Sequence, residues 1–398
     1  MPHLHGLARL LRRQASGENL NPLCHDLLQQ ATSDPGDACS LLDAAIILQF
    51  HGHRDIALQM QQEALKLRRH YRLPTSRPAV LRLLALVAPG DLMANVPLDC
   101  LLEDADIDLD LYYTTGDDGD PIVLPEHDLM FVAIGESDQN RPLLALWERR
   151  LGGWPRPILN HPSRIRRVGR DTAAHLLQGL PGLLMPPTLR ATRSELALAA
   201  DGGLPEDLYP LIVRPADSHA GHDLNKVENA DALSACLAAV PGETFFVSPF
   251  VDYRSPDGLF RKYRVVLIAG QPYAVHMAVS DHWMIHYLNA GMADSAAKRA
   301  EEAAFMAGFD QGFASRHAAA LTTIHQTMGL DYLGIDCAET PDGDLLVFEV
   351  DPAMVVHATD PVEVYPYKQA CMQKLFAAFR AMLLSAASRA PDQPPDRP

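Results

Sequence analysis

Residues 332–337 and 345–350 are two short apolar runs joined by Thr340-Pro341-Asp342-Gly343, and both carry or adjoin carboxylates. A turn of this composition predicts a hairpin, so the two runs become neighbouring strands of one sheet. Asp336 follows Leu333-Gly334-Ile335, while Glu349 and Asp351 alternate in Phe348-Glu349-Val350-Asp351 and so face the same side of their strand. Three acids on otherwise apolar strands are costly unless a cation neutralises them. A hard divalent cation such as magnesium is the expected partner, because it takes carboxylate oxygens and leaves room for phosphate. A buried acid–arginine pair or exposure at a sheet edge would satisfy the same pattern.

From residue 80 onward, short apolar runs alternate with helical stretches. Strands are expected at 81–87, 108–113, 127–134 and 157–159, with a helix at 142–151. This alternation predicts a small parallel or mixed α/β sheet. Pro89-Gly90-Asp91 directly follows the first strand and suits a loop at the carboxyl edge, where ligands of such sheets bind. Further on, a helix from residue 171 precedes strands at 211–214 and 244–247 with a helix at 231–239 between them. A hairpin follows at 263–269 and 271–278 around Gly270, then a helix at 317–328 stopped by Gly329. The last helix places Leu375, Phe376, Phe379, Met382 and Leu383 on one face. Residues 20–72 read as helical. Ala45, Ala57 and Ala64 stand 12 and 7 apart around a turn at Gly52-His53-Arg54, a pattern that resembles one tetratricopeptide hairpin. A solenoid needs about three such units, so a plain helical pair packed on the next domain is the equal alternative.

A chain of 398 residues predicts two or three domains, and 47% apolar residues supply their cores. The formal charge of −16 speaks against a broad nucleic-acid surface, though not against a local nucleotide pocket. No apolar run reaches the roughly 18 residues that would cross a bilayer, and the start lacks the pattern of a secretory signal. The six cysteines (24, 39, 100, 236, 337 and 371) show no zinc spacing and read as reduced thiols of a cytoplasmic protein. The Pro- and Asp-rich tail, 389–398, is expected to be disordered.

The acid-bearing strand pair, taken with its upstream sequence, resembles the ATP-grasp superfamily of carboxylate–amine and carboxylate–thiol ligases. Its members carry an acid at a strand end and then Glu-x-Asn on the next strand. Here Asp336 is followed thirteen residues later by Glu349-Val350-Asp351, with Asp in place of Asn. Pro210-Leu211-Ile212-Val213-Arg214-Pro215 resembles the strand that offers a basic residue, more commonly Lys, to the phosphates. Asp217-Ser218-His219-Ala220-Gly221-His222 stands where the phosphate-covering loop belongs, and backbone amides of 218–221 would cradle an anion there. Phe245-Phe246-Val247-Ser248-Pro249-Phe250-Val251-Asp252 resembles the hinge, which implies adenine contacts at Phe250 or Val251 and a ribose contact at Asp252. Arg264 matches the arginine that reaches the transferred phosphate. Arg170 is the substitute for an upstream basic residue, since Thr172 fills the usual Lys position after Asp171.

The resemblance implies a multidomain protein of α/β and α+β class. A helical hairpin region (1–76) would lead into a Rossmann-like pre-ATP-grasp domain (77–170). The two grasp lobes (171–247 and 248–388) would have mostly antiparallel sheets. The implied cofactors are ATP and Mg2+ or Mn2+, with Asp336, Glu349 and Asp351 as metal ligands and Arg264 and Glu349 as catalytic groups. Arg170, Arg214, Ser218, Gly221, Phe250, Val251 and Asp252 would bind nucleotide. Asn289-Ala290-Gly291 resembles a further family segment, and with the polar-aromatic run 281–287 it makes His286, Asn289 and Gly291 the expected acceptor-site residues. His276, His286 and His357 are candidates to deprotonate the amine. The implied reaction joins a carboxylate to an amine through an acyl phosphate. The substrates would be small molecules or peptides, with a peptide or carrier protein at the N-terminal helices and no nucleic acid or membrane partner. A hydroxyl kinase on the same scaffold and a non-catalytic peptide-binding protein are the alternatives.

Overall fold

Helical periodicity at the N-terminus is realised as α1 (Leu7–Ala15), α2 (Asn21–Ser33), α3 (Ala38–Phe50) and α4 (Arg54–Leu67). Asp37 caps α3 by accepting the Ser40 N–H at 3.1 Å. Gly52, at φ +80°, ends it and lets α4 return antiparallel, burying Ala45, Ala57 and Ala64 to 1% exposure or less. The computed structural model describes residues 4–73, 75, 77–117, 122–216, 218 and 222–389.

The helical region stops earlier than the sequence suggests, because His70-Tyr71-Arg72-Leu73 forms a strand, β1 (His70–Leu73). Alternation explains it: Tyr71 is buried, while Arg72 forks onto Asp110 at 2.9 Å on both arms. The next elements are β2 (Leu81–Val87), α5 (Leu98–Leu101), β3 (Ile107–Tyr113), β4 (Leu129–Val132), α6 (Arg141–Arg150), β5 (Ile158–Leu159) and α7 (Pro162–Ile165). Among the described residues these strands form one sheet in the order β1-β3-β2-β4-β5, parallel except for β1. Pro89-Gly90-Asp91 does follow β2, but it is committed within the fold. Gln61 of α4 exchanges bonds of 3.0 and 2.8 Å with the Gly90 backbone, and Arg54 pairs with Asp91 at 3.0 Å.

The chain continues as α8 (Arg170–Leu177), β6 (Leu183–Leu184), β7 (Leu189–Thr192), α9 (Arg193–Leu198), β8 (Leu211–Pro215), β9 (Asn225–Val227), α10 (Ala230–Ala239) and β10 (Thr244–Pro249). It then forms β11 (Phe260–Ile268), β12 (Gln271–Ser280), α11 (Ala296–Ala307), α12 (Phe313–Arg316), α13 (Ala318–Met328), β13 (Tyr332–Glu339), β14 (Leu345–Asp351) and α14 (Lys368–Ala387). The sequence reading missed β6, β7 and β9, which are two to four residues long and too short to show a period.

The chain divides into two compact units. One holds the residues up to Arg166, Leu330–Leu333 and those from Asp351 onward, and the other Arg167–Gly329 and Gly334–Val350. In the first, Phe379 of α14 is fully buried, with its ring 6.0 Å from Phe131 and 5.3 Å from Tyr332. In the second, the described residues give a sheet of order β7-β10-β8-β9, whose pairs are antiparallel, and a sheet of order β12-β11-β13-β14-β6.

The β11–β12 hairpin turns on Ala269 and Gly270, both at positive φ (+48° and +79°), as a two-residue loop of matching twist requires. A Cβ on Gly270 would lie 2.8 Å from the His325 ring. Gly270→Ala is therefore expected to cost about 1–2 kcal/mol, from the left-handed backbone and the displaced ring, measured by urea unfolding. All six cysteines are free and five are buried. Among the described residues no helix is long and apolar enough to cross a membrane.

Candidate functional site

The site is built from strand alternation in the second unit. On β11, Lys262 and Arg264 are two residues apart and both reach Asp336 of β13. Arg264 approaches as a fork, with Nε 2.7 Å from Oδ1 and Nη2 2.9 Å from Oδ2, while Lys262 Nζ lies 2.7 Å from Oδ2. A β-bulge between Arg264 and Val265 sits beside this contact, a common means of re-aiming a side chain. Burial opposes ionisation of Asp336, but the Arg264 and Lys262 charges outweigh it and hold the carboxyl far below its ordinary range.

Glu349 lies on β14, the strand next to β13, and pairs with Arg170 at the first turn of α8. Here too burial raises the carboxyl, and the Arg170 and Arg214 charges more than reverse that shift. Arg214, on β8, is only 8% exposed, and its buried Nε has no hydrogen-bond partner among the described residues. Burial pushes its guanidinium down to about 10; the like charge of Arg170 adds to this and Glu349 opposes it. Two arginines thus share one carboxylate in a poorly solvated place. Such a place favours a further anion.

Sequence reasoning expects Asp336, Glu349 and Asp351 to converge on a metal ion. The arrangement found differs, since Asp336 and Glu349 have separate cationic partners and the Asp351 Oδ1 accepts the Ala353 N–H at 2.8 Å. Among the described residues no group of three His, Cys, Asp or Glu side chains is gathered as a metal centre. The physical reason is charge: buried carboxylates take whatever cation the fold supplies, and basic side chains are in reach. The donors still fit a divalent cation chemically, being hard oxygens, and the orphaned Arg214 Nε fits a phosphate oxygen.

Other expected residues fall into place unevenly. Ser218 does not offer its amide to an anion. Its N–H donates to the Pro215 carbonyl at 3.2 Å, while its carbonyl and hydroxyl accept from Arg214. Gly221 lies outside the described residues. After β10, the Phe250 N–H donates to the Pro210 carbonyl at 2.9 Å, so it is committed within the fold. The Phe250 ring is flanked by Lys226 Nζ at 4.1 Å and by Trp283 at 5.7 Å. Asp252 is exposed and accepts the Arg254 N–H at 3.0 Å.

The 281–291 run is neither strand nor regular helix, apart from one 3-10 turn, Tyr287–Asn289. His286 is half-buried, and burial together with the Lys262 and Arg264 charges lowers its basicity. Asn289 is exposed, its N–H donating to the His286 carbonyl at 2.9 Å, and Gly291 takes a positive-φ position in open space. His276 stands opposite Arg264 in the β11–β12 register, its ring 4.5 Å from Tyr287, whose hydroxyl donates to the buried Glu302 at 2.9 Å. His357 lies in the first unit and meets Thr359 Oγ1 at 2.9 Å.

Sequence reasoning missed Lys262. The signal was present: Lys262 precedes Arg264 by two on a strand that starts at Phe260, three residues before the predicted start.

No protein-family model matches the sequence, and no curated protein matches it. Solved structures similar to the chain include a RimK domain protein ATP-grasp from Sphaerobacter thermophilus, at 15% identity and TM-score 0.46, covering 76% of this chain and 99% of that one. A D-alanine–D-alanine ligase from Bacillus anthracis, complexed with ATP, matches at 11% identity and TM-score 0.44, covering 79% and 99%. The VanG D-Ala:D-Ser ligase from Enterococcus faecalis matches at 15% identity and TM-score 0.45, covering 77% and 99%. At such scores the likeness is loose.

Proposed function

We propose that the protein is an ATP-dependent carboxylate–amine ligase of ATP-grasp type. The observation that carries this reading is the buried Arg214, whose Nε has no partner among the described residues, beside the Arg170–Glu349 pair. A cationic pair with an open donor suits a phosphate chain, because charge-assisted bonds to phosphate relieve the desolvation that the arginines bear. Val251 would read the adenine edge and Asp252 the ribose.

In the proposed reaction a substrate carboxylate oxygen attacks the γ-phosphorus and the bond to ADP breaks. The amine then attacks the acyl carbon, phosphate leaves, and the nitrogen loses its proton. Arg264 would hold the transferred phosphoryl group, and Arg170 and Arg214 the phosphates of the nucleotide. Magnesium or manganese, if bound with the hard carboxylate oxygens of Asp336 and Glu349 as donors, would supply charge neutralisation on the phosphates. The side chains contribute mainly position and preorganised charge. His276, opposite Arg264 in the β11–β12 register, and His286, close enough to feel the Lys262 and Arg264 charges, would be the candidates to take the amine proton.

The test is nucleotide binding and turnover by the full chain. ATP with magnesium is expected to raise the melting temperature by several degrees, as ligand linkage requires at saturating concentrations. A panel of acids and amines is then expected to give ADP and free phosphate in equal amounts, dependent on both partners. Phosphate retained on a product would instead indicate a kinase. Absence of any nucleotide-dependent shift would remove the reading altogether.

A further inference from the structure

Lys262 is a basic side chain of the site that the proposed chemistry leaves without a role. Its ammonium lies 2.7 Å from Asp336 Oδ2 and 3.5 Å from the Ile285 carbonyl. The first contact is shared, because the same Oδ2 accepts Arg264 Nη2 at 2.9 Å. An ammonium has three donors, and among the described residues the third Lys262 donor has no acceptor. The side chain is 22% exposed, so its head is accessible without being freely solvated. Near it stands His286, made less basic by burial and by Lys262 and Arg264 themselves. His276 lies opposite Arg264 on β12, backed by Tyr287.

A strand that presents two cations in succession on one face offers two anion contacts at a set spacing. Residues two apart on a strand are separated by about 6.6 Å. Because both heads also touch the single Asp336 carboxylate, they approach more closely than that. Two cationic heads this close can both be met by one short molecule that carries two anionic groups. Arg264 is engaged with the reacting group in the proposed reaction, which leaves Lys262 for a group that does not react. Lys suits that duty: it is a flexible point charge that binds a carboxylate without imposing the fork geometry of Arg.

We infer that Lys262 is a specificity residue that binds a second, non-reacting carboxylate, so that the acid handled at this site is a short dicarboxylate or an acidic amino acid. The inference rests on the ligase reading and names the substrate class for it. Monocarboxylates and the corresponding amides bring no second anion to the third Lys262 donor and bind more weakly.

The experiment is calorimetry and thermal shift on the full chain, with magnesium and a non-hydrolysable ATP analogue present. Glutarate and L-glutamate are titrated against butyrate and L-glutamine. Wild type is expected to bind the dianions at least tenfold more tightly than the monoanions. Lys262→Met is expected to lose that discrimination while keeping its response to the ATP analogue, and Lys262→Arg to recover part of it. The inference is overturned if wild type responds to the analogue yet does not distinguish the two sets, or if Lys262→Met still distinguishes them. It is also overturned if Lys262→Met loses the analogue itself, since Lys262 would then be a phosphate contact. No response of wild type to the analogue would instead fell the ligase reading, and this inference with it.

Discussion

Glu349→Gln is expected to lower ADP formation by about 10²–10³-fold, the range seen when one charge-stabilising group is taken from a transition state. The change keeps the shape of the side chain and removes its charge. Arg170 and Arg214 then face a neutral amide in a poorly solvated place. Removing one partner of a buried ion pair costs about 3–5 kcal/mol, and the partial exposure of Glu349 reduces that to about 2 kcal/mol here. The variant should therefore melt earlier than wild type, and turnover must be compared at a temperature where circular dichroism shows both folded. Turnover near the wild-type level would end the assignment of Glu349. The pH dependence has a definite sign. Glu349 and Asp336 are both held below the ordinary carboxylate range, so the stability they contribute is present above that range. It is lost as acidification passes through their lowered folded values.

Arg214→Met is expected to act in the opposite direction on the ligand-free protein. Methionine fills similar length, carries no charge and leaves Glu349 with one cation, Arg170, in a balanced pair. Because Arg214 is desolvated, repelled by Arg170 and, among the described residues, lacks a partner at Nε, its removal should stabilise the ligand-free chain by about 1 kcal/mol. The same change should weaken binding of ATP with magnesium by about 100-fold, or about 3 kcal/mol, through loss of a charge-assisted phosphate contact. Melting temperature without ligand and calorimetry with it read the two effects separately. Unchanged affinity would show that the open Nε does not serve a phosphate. The opposed shifts of the two variants without ligand are diagnostic, since a purely structural ion-pair cluster would lose stability in both.

Much of the architecture was legible from local pattern. The 81–87 run forms β2 with those bounds, and the turn 340–343 does join two neighbouring strands. The helix ending at Gly329 is also present. In each case the signal is local: alternation, a turn sequence or a helix stop acts within a few residues. The carboxylates Asp336 and Glu349 and the basic residues Arg170, Arg214 and Arg264 could be named for the same reason, as charged groups on otherwise apolar strands or at a helix start.

Which charge meets which was not legible, because pairing depends on neighbours far apart in sequence. Arg170 and Glu349 are brought together across nearly half the chain, and Lys262 reaches Asp336 only because β11 starts at Phe260 and lies beside β13. Sequence alone could determine that buried acids need cations. The tertiary structure decided that, without ligand, those cations are arginine and lysine, because a folded interior neutralises a carboxylate with the nearest charge it contains.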